Sequence, residues 1–596
     1  MGNPLNLIKP VLVVGILAGL IAPLYYHFYG YSILVVVLWL FSSILIGFYF
    51  FTNNPRSNLL KNYDKTDIYI ILILFCIFIL LYSNNIFSVP YPISFDELLH
   101  ITLERKFVHD MNFDFFRPSG FVYFPVMMFM LYGGLGKLIG GITLVNMRFI
   151  SALFGVLTIP VSYLFFRLFS TKKIATCGSI LIGFHHAFFI LNRMAWFNNS
   201  VVFFELAALG LFYIGFIEKN KFFVYLSGIV AGISFYGHFI GRIIILMVIL
   251  NLILFKIFFK NAKFSFCLKT FLIFLLAFGI VTLPVITYSA AHSDYNLLGS
   301  SYVYEQSLLF EQGRNSQKDF FYAPTIFNGV LTNIINGILV FNRTQHDVSG
   351  FYFNPNHGFL DVLSGIFLWI GILLLMLKKH KREPEIFLLG NFFFIWILFI
   401  FIINKTPHYT RLLIILPFVS YLIVIAIEFT SNFIVTGKKT LSLCIFMALI
   451  ASILIFNVKS YFDYVDNPNI KNEEIGVTAR YIYERNNITD YNYILVTENN
   501  HPYARWGHNS DYGFMIGFFA NDGQNELPII NTENIRIISP KNLTTINYVK
   551  PFTIFMRKKL WDELNGNVTK KYEDAEEHIL TLDLPYERKI VAIESK

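Results

Sequence analysis

Apolar positions run continuously along this chain instead of alternating. Stretches of roughly 20 apolar residues recur near 8–28, 32–52, 67–88, 148–167, 175–192, 199–217, 222–237, 240–256, 270–288, 359–377, 385–403, 411–429 and 441–457. Runs of that length predict helices that cross a membrane, because a helix satisfies its own backbone in hydrocarbon. About thirteen spans result. The stretch 121–140, "FVYFPVMMFMLYGGLGKLIG", is apolar but carries Pro125 and several glycines. It is expected to lie at the interface or re-enter without crossing. After about residue 460 the pattern changes. Polar residues rise, and short β-like runs follow, such as "YNYILVTE", "NIRIISP" and "YVKPFTIFMR".

The expected architecture is an all-α polytopic membrane domain with a small external α/β domain at the C-terminus. Residues 1–66 supply two N-terminal spans, 67–459 the main membrane domain, and 460–596 the external domain. Long external loops are expected at 90–147 and 289–357. The first run lacks a convincing small-x-small cleavage site and is taken as a span.

Charge sets the orientation. Arg56, Lys61 and Lys65 separate the second and third runs, and the positive-inside rule places that loop in the cytoplasm. Every second loop is then also basic: Arg167/Lys172/Lys173, Lys219/Lys221, Lys256/Lys260/Lys263/Lys269, Lys378/Lys379/Lys381/Arg382 and Lys438/Lys439. This regularity requires that 121–140 not cross. It places the intervening loops and the C-terminal domain outside the cell membrane.

Composition agrees. Of 596 residues, 55% are hydrophobic and 14% charged, which excludes a soluble globular protein. The formal charge of +9 is spent on loops that flank spans, so it signals topology and not a nucleic-acid surface. The four cysteines, Cys76, Cys177, Cys267 and Cys444, form no disulfide framework or metal motif. Asn-x-Ser/Thr triplets begin at Asn342, Asn487, Asn542 and Asn567, all external in this topology. An Asn-rich chain also produces such triplets by chance.

Ionisable residues gather at the predicted outer ends. The stretch "YPISFDELLHITLERKF" places Asp96, Glu97 and His100 just past the third span, with Asp110 and Asp114 following. Arg148, Arg193, His238, Arg242, Lys405, His408 and Arg411 lie at outer ends of later spans. Charge beside hydrocarbon is costly, so it carries a partner or a function. An acid and several cations at one boundary suit transfer of a group from an anionic lipid. The acid would deprotonate an acceptor hydroxyl, and the cations would hold a phosphate leaving group. The bland alternative is interfacial anchoring by long side chains. His185 and His186, in "LIGFHHAFFILNR", either reach the outer cavity or simply pack.

The order "FDELLH", "MRFISALFGVLTIPVSYLFFRLF", "LNRMAWFNNSVVFFELAALGLFYIGF", "FNRTQHDVSGFYFNPNHGFLDVLSGIFLWIGILLLM" and "KTPHYTRLLIILPF" resembles the integral-membrane glycosyltransferases with a GT-C fold. The protein O-mannosyltransferase-like and aminoarabinose-transferase-like branches are the nearest. The resemblance covers roughly residues 67–430 and rests on the order of loose motifs. It implies a polyprenyl-phosphate-linked sugar as donor and an active site on the external face. It also implies interfacial helices in the first long loop. The catalytic acid falls on Asp96, with Glu97 beside it. The family's arginines fall on Arg148 and Arg411, with His408 close by. Lys405, Arg242 and Arg193, by their place at outer ends of spans, are expected with them on the donor phosphate. Some relatives carry a second acid near "VYFPVMMF" or near Asn198. This chain does not, which places the duty of base on Asp96.

The resemblance further implies a multi-pass plasma-membrane enzyme acting on a protein, lipid or glycan acceptor. No cofactor or obligatory metal is predicted, although Asp96 and Glu97 with Asp110 or Asp114 could hold a divalent ion. One alternative is an oligosaccharyltransferase, whose Trp-Trp-Asp-Tyr-Gly signature "WGHNSDYGF" (Trp506 to Phe514) matches in part. Another is a transporter or flippase of lipid-linked sugars, which would show inverted repeats and mid-span charges.

Overall fold

The computed structural model describes residues 5–54, 57–86, 95–109, 114–119, 124–259, 263–292, 334–342, 357–378, 383–402, 409–435 and 437–467. In the C-terminal part it describes 477–478, 481, 492–496, 535–538, 543, 552–568, 575–580 and 589–595. The helices in chain order are α1 Leu5–Tyr29, α2 Ile33–Thr52, α3 Lys65–Ser83, α4 Phe95–His109, α5 Val126–Leu138, α6 Leu144–Arg167, α7 Lys172–Phe184 and α8 His186–Leu191. There follow α9 Ser200–Ile217, α10 Lys221–Phe235, α11 Ile244–Phe258, α12 Phe264–Ala291, α13 Val362–Leu377, α14 Glu383–Ile402, α15 Leu416–Ile434, α16 Lys439–Val465 and α17 Lys558–Val568.

Among the described residues, 10 helices are long and apolar enough to cross a membrane. The remaining predicted spans are realised as shorter pieces. Helices α10 and α13 are apolar but shorter, and the 175–192 run is broken at His185 into α7 and α8. The 121–140 stretch forms α5, whose 13 residues reach only about 20 Å at 1.5 Å each. A hydrocarbon core is about 30 Å thick. Gly140 and Gly141 end this stretch with φ of 117° and 127°, a backbone region open to glycine.

Local chemistry starts the helices where the pattern predicts. Asp64 caps α3 and forms a reciprocal capping box with Asp67. Ser32, Thr171, Asn220 and Asp361 cap α2, α7, α10 and α13 through their side-chain oxygens.

By packing, the chain divides into two units. The first holds 1–84, 111–132 and 149–461; the second holds 85–110, 133–148 and 462–596. In the first, α1 and α2 pack as an antiparallel pair, and Ser42 Oγ donates to Gly15 O at 2.7 Å. That pair packs on α10 and α12, with Ile46, Phe50, Tyr225, Ala277 and Ile280 buried together. In the second unit, α4 lies close to the residues around Gly133. A Cβ there would stand 2.9 Å from Glu104 O, so only glycine admits this approach.

The C-terminal part of the second unit is a five-stranded sheet, β1 Asn492–Val496, β2 Ile535–Ile538, β3 Phe552–Arg557, β4 Glu576–Ile579 and β5 Ile590–Ser595. Its order is β2-β1-β3-β5-β4. Strand β1 is parallel to β2 and β3, and β5 is antiparallel to β3 and β4. Alternate residues Phe552, Ile554 and Met556 share one face and bury with Leu560 and Trp561 of α17 and Val591 and Ile593 of β5. All three β-like runs noted in the sequence are strands.

Candidate functional site

The first unit has a basic end. Arg167 Nε lies 3.1 Å from Asp67 Oδ1, and Tyr163 Oη donates to the same oxygen at 2.5 Å. Lys172 Nζ reaches Asp64 Oδ2 at 2.5 Å, and Lys173 Nζ reaches Glu428 Oε1 at 2.6 Å. Leu59 N donates to Glu218 Oε1, and Lys221 N donates to Asn54 Oδ1. The loops 54–65, 167–173 and 218–221 therefore meet on one face, as the alternation of basic loops predicts. Their cations both mark topology and tie neighbouring loops together. The Lys172 ammonium lowers the Asp64 carboxyl to about 2.

The opposite end of this unit carries other cations in different company. Arg193 is buried at the far end of α3. It donates to Leu81 O at 3.0 Å, Tyr82 O at 2.9 Å and Asn84 O at 2.6 Å. These are carbonyls left unpaired where a helix ends, so Arg193 caps α3. The segment that carries it is braced by Asn199 Nδ2 donating to Asn192 Oδ1 at 2.6 Å, and by hydrogen bonds between Ser151 and Trp196.

Beyond α10 the chain turns through a 3-10 stretch, Phe239–Ile243, flanked by His238. Arg242 lies over the Phe235 ring at 5.1 Å and donates to Phe235 O at 3.3 Å. Arg411 lies over the Phe239 ring at 5.2 Å. Helix α9 packs against Phe239–Ile243 and against the turn Leu413–Ile415, which brings Arg242, Arg411 and His238 to one part of the unit. Carbonyls and ring faces orient a guanidinium.

The segments 114–119 and 124–128 belong to this end. Ser119 N donates to Phe124 O at 2.8 Å, Val126 N to Arg117 O at 3.0 Å and Met127 N to Phe115 O at 3.1 Å. The Phe124 ring stands 6.0 Å from His238 and 5.5 Å from Phe197. Asp114 is buried and accepts from Tyr26 Oη at 2.8 Å. Burial pushes its carboxyl above the usual carboxylate range, against the pull of that hydrogen bond.

In the second unit, helix α4 carries the acids. Asp96 is its second residue. Glu97 and Arg148 form a bidentate pair, Nε to Oε1 at 2.9 Å and Nη2 to Oε2 at 3.0 Å, with both side chains fully buried. Arg148 Nη1 also donates to Ile86 O at 3.2 Å. His100 and Glu104 continue the buried stripe one and two turns on. Burial lowers His100 to about 3 and raises Glu104 well above the usual carboxylate range. Among the described residues neither carboxyl oxygen of Glu104 has a hydrogen-bond partner.

With this geometry in place, comparison with solved structures is informative. The structure of ArnT from Cupriavidus metallidurans bound to undecaprenyl phosphate superposes with a TM-score of 0.51 at 11% identity, over 87% of this chain and 97% of that one. The same enzyme in its apo state gives 0.50. The chain has the GT-C fold. The archaeal oligosaccharyltransferase AglB from Archaeoglobus fulgidus, in complex with an inhibitory peptide and a dolichol-phosphate, gives 0.47 at 14% identity, over 79% of this chain and 65% of that one. No family model and no curated protein matches the sequence.

The predicted site residues have different partners. Arg411 and Arg242 come together with His238. Arg148 and Arg193, expected on the donor phosphate, are instead engaged by Glu97 and by the end of α3. Glu97, expected beside the catalytic acid, is taken up by Arg148. Sequence position gave the depth of these residues but not the direction of their side chains. His408, Lys405, Asp110 and the 506–514 segment lie outside the described residues. Asn342 Oδ1 accepts from Trp369 Nε1 at 2.7 Å, which gives that residue a packing role. Among the triplets, Asn487 and Asn542 are outside the described residues, and Asn567 lies in α17.

His185 and His186 lie at the break between α7 and α8 with rings 5.0 Å apart, and His186 Nε2 stands 3.1 Å from Gly358 O. Two acids escaped the sequence reading. Glu104 and Glu205 are each buried, and among the described residues neither has a hydrogen-bond partner for its carboxyl oxygens. Their apolar periodicity on α4 and α9 was the available signal. Among the described residues no group of three or more His, Cys, Asp or Glu side chains is arranged to hold a metal ion.

Proposed function

We propose that this protein is an inverting glycosyltransferase that moves a sugar from a polyprenyl-phosphate donor to an acceptor on the external face of the membrane. The observation that carries the reading is the gathering of Arg411, Arg242 and His238 at the end of the first unit away from the carboxylate-paired loops. The likeness in fold to an ArnT structure holding undecaprenyl phosphate supports it.

In this reading Arg411 and Arg242, with His408 and Lys405, bind the donor phosphate. A guanidinium suits that task because its planar fork matches phosphate oxygens. Asp96 takes the proton of the acceptor hydroxyl. The acceptor oxygen then forms a bond to the anomeric carbon as the bond to the phosphate oxygen breaks. The prenyl phosphate leaves with the bonding pair, and one displacement inverts the configuration. Arg148 and Glu97 act together as a buried brace for α4, and Arg193 as a cap for α3. The domain after residue 460 contributes to acceptor recognition.

The test is transfer of radiolabelled sugar from a panel of polyprenyl-phosphate sugars by the purified protein in detergent, with host membrane extract as acceptor. Asp96→Asn serves as the control. Wild type is expected to transfer label, and Asp96→Asn to lose about 10²–10⁴-fold in rate while still binding donor. A variant that keeps more than a few per cent of the rate removes Asp96 from the role of base. Because transfer in detergent needs no sealed bilayer, it also separates an enzyme from a carrier.

A further inference from the structure

The N-terminal helix pair has a contact that the transfer reaction does not require of a simple anchor. Tyr26, near the end of α1, is buried and donates to the buried Asp114 carboxylate at 2.8 Å. Phe116, two residues on, is fully buried. Its ring meets Tyr26 of α1 at 5.5 Å, Trp39 of α2 at 5.6 Å and Tyr236 at 6.3 Å. Tyr288 of α12 closes on Tyr26 at 5.5 Å. Residues 114–119 are therefore held by α1 and α2, and α12 packs on the Tyr26 that makes the contact.

The other side of the same strap reaches the cations. Pro118 and Pro125 form a β-bridge, and the Ser119–Phe124 and Arg117–Val126 hydrogen bonds fix its two arms together. Phe124 then lies on His238, the residue that begins the turn carrying Phe239 and Arg242. Arg411 in turn lies on Phe239. A continuous run of contacts thus joins Tyr26 to the cation cluster within one packed unit.

We infer that Tyr26 is a positioning residue: its hydrogen bond to Asp114 anchors the paired segments 114–119 and 124–128, which set His238 and the Phe239–Ile243 turn for the lipid phosphate. The inference rests on the proposed donor site. It gives α1 and α2 a role in donor binding beyond membrane insertion. The hydrogen bond matters more than the charge, because a buried acceptor needs a donor whatever its ionisation. Asp114→Asn keeps an oxygen that accepts from Tyr26, whereas Tyr26→Phe and Asp114→Ala remove the bond.

The test compares these three variants with wild type as full-length protein in detergent. Two quantities are read: hydrogen exchange at the Ser119, Val126 and Met127 amides, and equilibrium binding of undecaprenyl phosphate. Tyr26→Phe and Asp114→Ala should exchange faster at those amides and bind the probe about tenfold more weakly, the effect of one lost buried hydrogen bond. Asp114→Asn should stay close to wild type in both. Lowered thermal stability in Tyr26→Phe with unchanged probe binding would reduce the bond to a structural one and overturn the inference. Unchanged exchange at the three amides would do the same. A wild-type protein that binds no polyprenyl phosphate would instead overturn the reading of the donor site, and the positioning role with it.

Discussion

The two ends of the first unit treat cations differently. At the basic end, Arg167, Lys172 and Lys173 meet Asp67, Asp64 and Glu428. At the opposite end, Arg242 and Arg411 rest on ring faces, and Arg193 on the last carbonyls of α3. A carboxylate neutralises its partner and ties loops together. A ring face or a carbonyl orients a guanidinium and fixes where its fork points. The difference teaches that a basic residue at a membrane boundary is read by its company. In the proposed reading, loops that orient the chain and the site that binds phosphate use the same residue types.

Substitution at the two ends should therefore have opposite signatures. The largest effect is expected at Arg411. Arg411→Ala should lose about 10²–10³-fold in kcat/KM, the usual cost of one group that stabilises developing charge. Donor affinity should fall with it, because the phosphate is charged before and during reaction. Steady-state kinetics with varied donor measure both, and an unchanged KM with a full rate would remove Arg411 from the site.

Arg148→Ala comes next and should act on stability. Breaking a fully buried ion pair leaves Glu97 unpaired, at a cost of roughly 3–5 kcal/mol. Thermal unfolding in detergent should show the loss. Glu97→Gln, which keeps one oxygen to accept from Arg148, should lose less. If Arg148→Ala unfolds normally but binds donor poorly, Arg148 returns to the phosphate site.

A smaller and opposite change is expected at Glu104. Burial raises its carboxyl, so the folded protein holds that proton more tightly than the unfolded chain. A raised carboxyl costs nothing below the unfolded value near 4.3, and the cost grows as pH rises toward the folded value. Glu104→Gln should thus melt higher than wild type by an amount that widens from pH 5 to pH 8. Melting curves that keep a constant gap across that range would show that ionisation is not involved.

The smallest effect tests the basic end. Lys173 and Glu428 are partly exposed, so Lys173→Ala should cost less than about 1 kcal/mol and leave transfer unchanged. A large loss of transfer would erase the contrast between the two ends.

Much of the fold was legible because bilayer thickness and backbone satisfaction dictate long apolar runs. Loop charge predicts that 121–140 does not cross, and its helix α5 has 13 residues. The strands 492–496, 535–538 and 552–557 were visible as β-branched and aromatic runs. The break at His185 was not, since "LIGFHHAFFILNR" holds no proline and no glycine at the break. Packing also groups α4 with the residues after 461, a long-range association that no local pattern announces. Within the site, position along the chain placed Arg148, Arg193, Arg242 and Arg411 at similar depth. It could not say that the first two turn toward Glu97 and toward the end of α3. Those choices depend on partners 51 residues away for Glu97 and 109 to 112 for α3 and Asn84.

The contrast between the ends is tested most directly by equilibrium binding of undecaprenyl phosphate to wild type, Arg411→Ala and Lys173→Ala in detergent. Saturable binding to wild type and Lys173→Ala with equal affinity, and weak binding to Arg411→Ala, is the predicted result. Equal loss in both variants, or equal binding by all three proteins, would contradict it.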